Sequence, residues 1–273
     1  MNLLLYVAVR PGHHPGTDFV YKMTARPRGI ALIINNMVFP GYPNKTRHGS
    51  EKDVHQLEEL FDALGFKVKL KENYTKQKML DKIHSFAHKR VLPDHDCFVL
   101  WLMSHGRCGE VFGSDYVPLP IKEIKDVLSN ASCEALRGKP KLLFVQACRG
   151  GKEDEGVLTN SCGLPAVQRP SVQTDSPDDQ TISPSSERIA GQTDFLTAYS
   201  TVEGYVSYRF PGIGSNFVRA LVNVFREHVA YDHLVNLLTK VIKRVSEMES
   251  ATKAGKYKQT PQFETTLVKE LWF

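Results

Sequence analysis

The chain has 273 residues, of which 41% are hydrophobic and 24% charged, a composition typical of a globular protein with a sizeable core. Its formal net charge of +5 is spread along the chain, so nothing in it indicates a nucleic-acid surface. No apolar run reaches the roughly 18 residues that a membrane span needs, and the apolar start MNLLLYVAV lacks the preceding basic residues of a signal peptide.

The first half of the chain alternates between predicted strands and predicted helices. Residues 1–24 are expected to form a loose leader, because they contain the breaker-rich stretch HHPG and are followed by a second one, TARPRG at 24–29. Continuous apolar runs such as CFVLWLM are typical of strands buried on both faces, and an alternating run predicts one more exposed strand. The predicted strands are 30–34, 66–70, 97–103 and 141–145. Apolar residues at helical spacing predict helices at 51–64, 75–88 and 121–128.

The second half begins with a compositional break. Residues 151–192 are rich in Pro, Ser, Gly, Asp and Gln and lack periodicity, which predicts a flexible linker inside the chain. Order is expected to resume with a strand at 195–200, helices at 217–228 and 233–248, and a final strand at 263–273. The whole pattern predicts an α/β fold with a mostly parallel sheet flanked by helices, which the second half completes.

Two polar motifs directly follow buried strands: SHG at 104–106 and QAC at 146–148. The carboxyl ends of parallel strands share one edge of a sheet, so the side chains of His105 and Cys148 can meet there. A cysteine nucleophile needs a nearby base and a place for the oxyanion, and Gly106 allows the backbone to bend for the second purpose. An inert buried thiol and an ordinary loop histidine remain open readings on these grounds alone.

The cysteines form no recognisable pairing or metal pattern. Their number is odd and no CxxC spacing occurs, which argues against a disulfide framework and a cysteine-based zinc site. A reducing compartment, and hence a cytoplasmic location, is the simplest expectation. The five cysteines are Cys97, Cys108, Cys133, Cys148 and Cys162.

QACRG at 146–150 resembles the signature of the caspases, which also place a histidine upstream at a comparable distance. The resemblance covers about residues 20–273. Further matching motifs, in the family's order, are PRGIALIINN (27–36), TRHGSEKDV (46–54), GKPKLLFVQACRG (138–150), TDFLTAYST (193–201), GYVSYR (204–209) and VKELWF (268–273). The resemblance implies the caspase-hemoglobinase fold, an α/β/α sandwich with a mostly parallel six-stranded sheet.

The resemblance also implies a function, namely an endopeptidase that cuts after aspartate without a metal or cofactor. Cys148 would attack the scissile carbonyl, and His105 would protonate the leaving amine. The backbone N–H groups of Gly106 and Cys148 would hold the oxyanion. The aspartate pocket would consist of Arg47, Gln146 and Arg209, because arginine grips carboxylates as a planar fork. Substrate-binding positions next to this pocket would be Val206, Ser207 and Tyr208.

The sequence departs from the usual executioner pattern beside these subsites. Asn216 stands where many apoptotic caspases carry tryptophan, and 250–256 lacks an aromatic-rich loop. We therefore expect a more open subsite and no strict DExD preference.

The linker resembles a processing site. Asp175 followed by a small residue in a flexible stretch indicates the intersubunit cut, dividing a large subunit (25–175) from a small one (176–273), with Asp178 and Asp179 as alternatives. Asp18 is a candidate for leader removal. The short leader favours an executioner-like zymogen activated by an upstream caspase, although an initiator without its recruitment domain stays open.

The resemblance implies a homodimer in which the C-terminal strand at 263–273 pairs with its counterpart. The alternative function is a catalytically silent caspase-like regulator that binds caspases or their substrates. Its signature would be loss of the nucleophile, the histidine or a pocket arginine, and the chain retains all of these. A nucleotide-binding α/β domain is disfavoured because no Gly-rich phosphate loop follows the first strand.

Overall fold

The computed structural model describes residues 17–87, 94–157, 189–252 and 254–273. Residues 1–16 of the predicted leader lie outside these ranges. So do Cys162 and the candidate processing residues Asp175, Asp178 and Asp179. The helices of the described residues are α1 (Ser50–Ala63), α2 (Lys76–Ala87), α3 (Ile121–Leu128), α4 (Asn216–His228) and α5 (Leu234–Glu247). None of them is both long and apolar enough to cross a lipid bilayer.

The strands fall into one large sheet and several small ribbons. In chain order they are β1 (Gly29–Asn35), β2 (Lys67–Glu72), β3 (Cys97–Met103), β4 (Gly106–Arg107), β5 (Glu110–Phe112), β6 (Pro118–Pro120), β7 (Lys141–Gln146), β8 (Gly150–Lys152), β9 (Phe195–Tyr199), β10 (Gly204–Tyr205), β11 (Arg209–Phe210), β12 (Gly214–Ser215), β13 (Ser250–Ala251), β14 (Lys256–Tyr257) and β15 (Gln262–Thr265). The central sheet has six strands in the order β15-β9-β7-β3-β1-β2. All neighbours pair in parallel except β15, which runs antiparallel to β9, so the predicted fold class is confirmed.

Both faces of the sheet are covered, which explains the continuous apolar runs. Successive side chains of a strand point to opposite faces. In β1, Ala31 and Ile33 therefore join the core under α1, α4 and α5, whereas Leu32 joins the core under α2 and α3. Trp101 and Phe144 on neighbouring strands stack in the first core, with ring centroids 4.5 Å apart.

A buried polar network joins the starts of β7 and β9. Lys141 donates from Nζ to Asn130 Oδ1 (2.7 Å), and Asn130 Nδ2 donates to Asp194 Oδ2 (3.0 Å). Tyr21 donates its hydroxyl proton to Asp194 Oδ1 (2.7 Å). Burial lowers the pKa of Lys141 to about 8, while the Asp194 carboxylate opposes that shift. Residues before and after the predicted linker thus share one set of buried hydrogen bonds.

The final strand predicted at 263–273 is wrong in its extent, because the strand ends at Thr265. The chain then turns back onto its own core: Leu271 O accepts a hydrogen bond from Leu234 N (2.8 Å) at the start of α5. The ring of Phe273 packs against those of Phe66 and Phe225. Burial of this apolar end in the same chain outweighs the β propensity that suggested a long edge strand.

The predicted linker at 151–192 is also ordered at its two ends. Strand β8 pairs in parallel with β10, and Asp154 forms a bridge with Lys258. Residues 189–194 are described as well, and Asn130 N donates to Gly191 O (2.9 Å). Strands of two or three residues are too short to produce a periodic signal, so the small ribbons were not predicted.

Candidate active site

His105 and Cys148 lie at the same edge of the sheet. In the parallel register of β3 and β7, Met103 is opposite Gln146, and Ser104 N donates to Gln146 O (3.3 Å). His105 and Cys148 each stand two residues beyond that matched pair. The structure therefore brings the two motifs together at the strand ends, as the sequence predicted.

Gly106 comes close to the backbone of Cys148. A Cβ atom on Gly106 would lie 2.9 Å from Ala147 Cβ and 3.0 Å from Cys148 O, so only glycine fits this approach. Phe112 N donates to His105 O (2.9 Å) in the β4–β5 hairpin, where Gly106 is opposite Val111. Hydrogen-bonded and non-bonded pairs alternate in an antiparallel ladder, so the Gly106 N–H takes no part in this hairpin. That amide is available to a substrate oxygen.

The hydrogen bond of His105 fixes its tautomer. Its Nε2 lies 2.7 Å from the backbone oxygen of Lys45. A carbonyl oxygen can only accept, so Nε2 carries a hydrogen and Nδ1 is left as the basic nitrogen. A backbone carbonyl thus orients the imidazole, the role that a carboxylate side chain has in a Ser-His-Asp triad. No sequence pattern indicates this partner, because any residue type supplies a carbonyl.

The surroundings of His105 keep its imidazole neutral. Burial lowers the pKa of His105, the hydrogen bond to Lys45 O opposes that shift, and the charges of Arg47, Arg209 and Lys45 lower the pKa further. Phe39 covers one side of the ring, with centroids 4.9 Å apart. A neutral imidazole at physiological pH can accept the proton of a thiol.

The thiol of Cys148 is half-buried and faces the segment that follows β10. Ser207 N donates to Cys148 Sγ (3.4 Å), and Sγ lies 3.9 Å from Ser207 O. The other described cysteines do not lie at the carboxyl ends of β3 and β7. Cys97 and Cys133 are buried, and Cys108 is exposed and donates to Glu203 Oε1 (2.7 Å). Cys148 is the described cysteine that combines access with a position at the strand ends.

Arg47 and Gln146 place unpaired polar atoms in the interior beside Cys148. Arg47 is only 1% exposed. Its Nη1 donates to Asn35 Oδ1 (3.2 Å) and to Asn36 O (3.0 Å), while Nη2 is buried without a partner among the described residues. Gln146 donates from Nε2 to Ser207 Oγ (2.9 Å), and its Oε1 is likewise unpaired. Unpaired buried polar atoms are costly and are typical of sites that wait for a ligand.

The charges of this pocket favour an anion. Burial lowers the pKa of Arg47 to about 9, and the charge of Arg209 adds to the effect, so Arg47 stays protonated at neutral pH. Arg209 is half-buried, and its Nε donates to His48 O (3.0 Å). Two guanidinium groups that repel each other at low dielectric are relieved by a carboxylate between them.

Asp53 is a buried acid near both arginines, and the sequence reasoning did not single it out. Its Oδ1 accepts a hydrogen bond from Ser215 N (2.7 Å), and Oδ2 is buried without a partner among the described residues. Burial raises the pKa of Asp53 to about 6, and the charges of Arg47 and Arg209 oppose that shift. The only sequence signal was the position of Asp53 within the motif TRHGSEKDV.

The segment at 206–208 borders Cys148 on the β9 side. Val206 N donates to Lys152 O (3.0 Å), and Tyr208 N donates to Gln259 Oε1 (3.0 Å). The ring of Tyr208 stacks on Tyr257, with centroids 6.1 Å apart and the planes inclined by 9°. Tyr257, which the sequence reasoning missed, gives this region an aromatic wall.

The resemblance indicated a more open subsite at Asn216, which stands in place of a tryptophan. It is buried, and its Nδ2 donates to Ser250 Oγ (2.8 Å) at the base of the β13–β14 hairpin. The side chain of Asn216 thus ties α4 to that hairpin, and the more open subsite stays a prediction.

Four aromatic side chains gather on the other side of His105, and we name them the aromatic shelf. Tyr116 stacks on Phe112 (4.7 Å between centroids) and on Tyr42 (4.9 Å), and it meets Phe39 edge-on (5.8 Å). Its ring centroid lies 6.2 Å from that of His105. Sequence reasoning missed the shelf because its members come from two distant parts of the chain, the segment after β1 and the β5–β6 hairpin.

Comparisons with known proteins agree with this architecture. The family model of the caspase domain matches residues 28–272. Caspase-7 of Gallus gallus is 35% identical over 260 residues, which cover 93% of this chain and 80% of that protein. Caspase-3 of Mesocricetus auratus is 33% identical over 261 residues, which cover 94% and 87%. Cell death protein 3 of Caenorhabditis remanei is 35% identical over 266 residues, and this chain spans only 52% of its length.

Proposed function

The chain belongs to the caspase family of cysteine-type endopeptidases, and from that membership we propose that it cuts protein chains after aspartate in apoptosis. Cys148 is the nucleophile and His105 the general base and acid. The observation that carries this proposal is the buried Nη2 of Arg47, which has no partner within the part of the chain that the structure describes, next to the charge of Arg209 and beside an accessible thiol.

The proposed reaction uses each of these groups in turn. The sulfur of Cys148 forms a bond to the scissile carbonyl carbon while the thiol proton passes to Nδ1 of His105. The carbonyl electrons move to the oxygen, which the backbone N–H groups of Gly106 and Cys148 receive. His105 then protonates the leaving amine as the C–N bond breaks. Water, activated by the same histidine, hydrolyses the thioester.

The pocket selects the residue before the cut. The guanidinium groups of Arg47 and Arg209 are planar forks, and they donate hydrogen bonds to the carboxylate of an aspartate. Gln146 can rotate its amide so that Nε2 faces the carboxylate, because the hydroxyl of Ser207 is able to donate as well as accept. Val206, Ser207 and Tyr208 then bind the preceding residues of the substrate.

The test is peptide cleavage by the enzyme after its linker has been cut. Four peptides differ only in having Asp, Asn, Glu or Arg before the scissile bond, and kcat/KM is measured for each. We expect the Asp peptide to exceed the Asn and Arg peptides by at least about 10³-fold, since Asn leaves the buried charges unpaired and Arg repels them. It should exceed the Glu peptide by about 10²-fold, since the extra methylene displaces the Glu carboxylate from the arginines. Preference for any other residue would overturn the pocket assignment.

Two variants test the nucleophile. Cys148→Ala should abolish turnover of the Asp peptide, whereas Cys108→Ala, which removes an exposed thiol outside the site, should retain it. Equal activity of Cys148→Ala and the unaltered chain would overturn the mechanism.

We further propose that the chain is an executioner-like zymogen acting in the cytoplasm. Its linker is cut after Asp175, with an upstream caspase as the activator, and Asp18 is a second processing position. The active form is a homodimer of large and small subunit pairs. The motifs that resemble caspases and the family's named relatives support this proposal.

The alternative of a catalytically silent regulator rests on no observation of its own. The cysteine, histidine and arginines that a regulator would lose are all present. Binding of Asp peptides without any turnover by the linker-cleaved chain would favour it.

A further inference from the structure

The order of strands places different groups on the two sides of Cys148. Along the sheet edge the sequence is β9, β7, β3, β1. The segment at 206–208 comes after β9 and the short strand β10, Cys148 follows β7, and His105 follows β3. Phe39 and Tyr42 follow β1. A substrate whose residues before the cut lie along 206–208 therefore directs its residues after the cut past His105 and toward the aromatic shelf.

The shelf is open to solvent where a substrate would pass. Phe39 forms its buried base at 1% exposure, while Tyr42 is 45% exposed. Tyr116 lies half-buried between Tyr42 and Phe112, with its ring stacked on both. This arrangement is continuous with the site, because Phe39 and Tyr116 both contact the ring of His105.

The backbone of Tyr116 is strained. Its φ of 61° lies in the left-handed region, where a bulky residue is a genuine outlier. Tyr116 N donates to Gly113 O (2.9 Å), which helps to hold the turn in this conformation. Strain of this kind persists where the surrounding structure imposes it, and it clusters at functional sites.

We propose that the aromatic shelf binds the side chain directly after the scissile aspartate and selects an aromatic residue there. This inference rests on the proposed function. A substrate ring can stack with an offset on the exposed Tyr42 and meet the edge of Tyr116, whose two faces are already covered by Tyr42 and Phe112. The chain itself contains such a bond at Asp18-Phe19, and the side chain of Phe19 is 70% exposed.

The test varies only the residue after the cut. The Asp-ending sequence that the linker-cleaved enzyme hydrolyses fastest is followed by Phe-Val in one peptide and by Ser-Val in the other. We expect kcat/KM for the Phe peptide to exceed that for the Ser peptide by about tenfold. Because both peptides give the same thioester, the difference arises in formation of that thioester and not in its hydrolysis.

Variants connect the preference to the shelf. The double variant Tyr42→Ala, Tyr116→Gly should lower the Phe/Ser ratio to about one, and glycine adopts the positive φ without strain. A merely structural role for the two tyrosines would lower both rates together and leave the ratio as it was. Tyr231→Ala serves as the control, because Tyr231 is 65% exposed and lies between α4 and α5.

The outcomes are distinct. A Ser preference in the unaltered enzyme, or a Phe preference that survives the double variant, would overturn the shelf assignment while leaving the proposed function intact. Failure to cut any Asp peptide would instead refute the proposed function.

Discussion

Asp53 is a buried acid beside the two arginines of the proposed pocket, and its pKa depends on folding. Its carboxyl has a raised pKa of about 6 in the folded chain, against 3.8 for an unperturbed Asp. The folded state therefore binds the proton more tightly than the unfolded state does. The stability that this gives is present in full below pH 3.8 and is lost as the pH rises through 6.

Replacing Asp53 tests this relation between charge and stability. At pH 7.5, Asp53→Asn should increase the free energy of unfolding by about 2 kcal/mol, because a buried charge is removed while the amide oxygen still accepts from Ser215 N. At pH 4 the difference should nearly vanish. Urea unfolding at the two pH values measures it, and Asp62→Asn, exposed on the same helix, is the control. A stabilisation that is larger at pH 4 would contradict the pKa shift.

Lys45 acts on His105 in two ways that can be separated. Its backbone oxygen holds Nε2, while its side-chain charge lowers the pKa of His105. Lys45→Met keeps the carbonyl and removes the charge, so the pKa of His105 should rise. The acid limb of kcat/KM should then move to higher pH, because protonated His105 cannot accept the thiol proton. Lys52→Met, exposed on α1, should leave the limb in place, and a shift to lower pH would refute this account.

The reactive side chains could be predicted from the sequence, whereas the groups that folding brings into contact with them could not. The sequence placed Cys148 and His105 together because each follows a buried strand. It could not identify the carbonyl of Lys45, since every residue has one. It also could not assemble the aromatic shelf, whose rings meet only after distant loops fold.

At the scale of elements, the C-terminal segment after β15 is part of the core of its own chain. Phe273→Ala should lower the free energy of unfolding by about 3 kcal/mol, because its ring packs against Phe66 and Phe225 in the interior. Val268→Ala, at a side chain that is 56% exposed, should change it by less than about 0.5 kcal/mol. Equal stability of both variants in thermal unfolding would show that this segment is not docked.

Long elements could be predicted from the sequence, and short ones could not. The apolar run CFVLWLM predicted both ends of β3 correctly, and the helical spacing at 121–128 predicted both ends of α3. The strand predicted at 263–273 extended beyond β15 because alternation cannot tell an edge strand from a segment that buries Leu271 and Phe273. The ribbon of β8 and β10 depends on pairing across more than fifty residues, which no local pattern reveals.

At the scale of the whole molecule, the buried network of Lys141, Asn130, Asp194 and Tyr21 crosses the predicted processing point. Three of its members precede Asp175 in the chain, and Asp194 follows it. Removing one partner of a buried ion pair costs about 3 kcal/mol or more. We therefore expect the two fragments to remain associated after cleavage.

Cleavage of the linker can be followed with an inactive substrate chain. The Cys148→Ala chain is incubated with active enzyme, and the fragments are measured by mass spectrometry. We expect a cut after Asp175 and fragments that co-elute in gel filtration. Asp175→Ala should abolish this cut, with Asp178→Ala as the control. An unchanged fragment pattern in the Asp175→Ala chain would refute the assignment.

The domain arrangement was predictable only in outline. The compositional change at 151–192 indicated two parts of one domain, and strands from both sides of that segment lie in the same sheet. The ordered ends of that segment were missed because their contacts, such as Asp154 with Lys258, are made by residues far away in the sequence.

The most direct measurement of the central claim is covalent capture of the nucleophile. The linker-cleaved enzyme is treated with a peptide acyloxymethyl ketone ending in Asp, whose thioether with a cysteine forms as the carboxylate leaves, and the adduct is located by peptide mass spectrometry. We predict one adduct per chain, on Cys148, and none with the otherwise identical Asn reagent. Labelling of Cys108, or equal labelling by both reagents, would contradict the account.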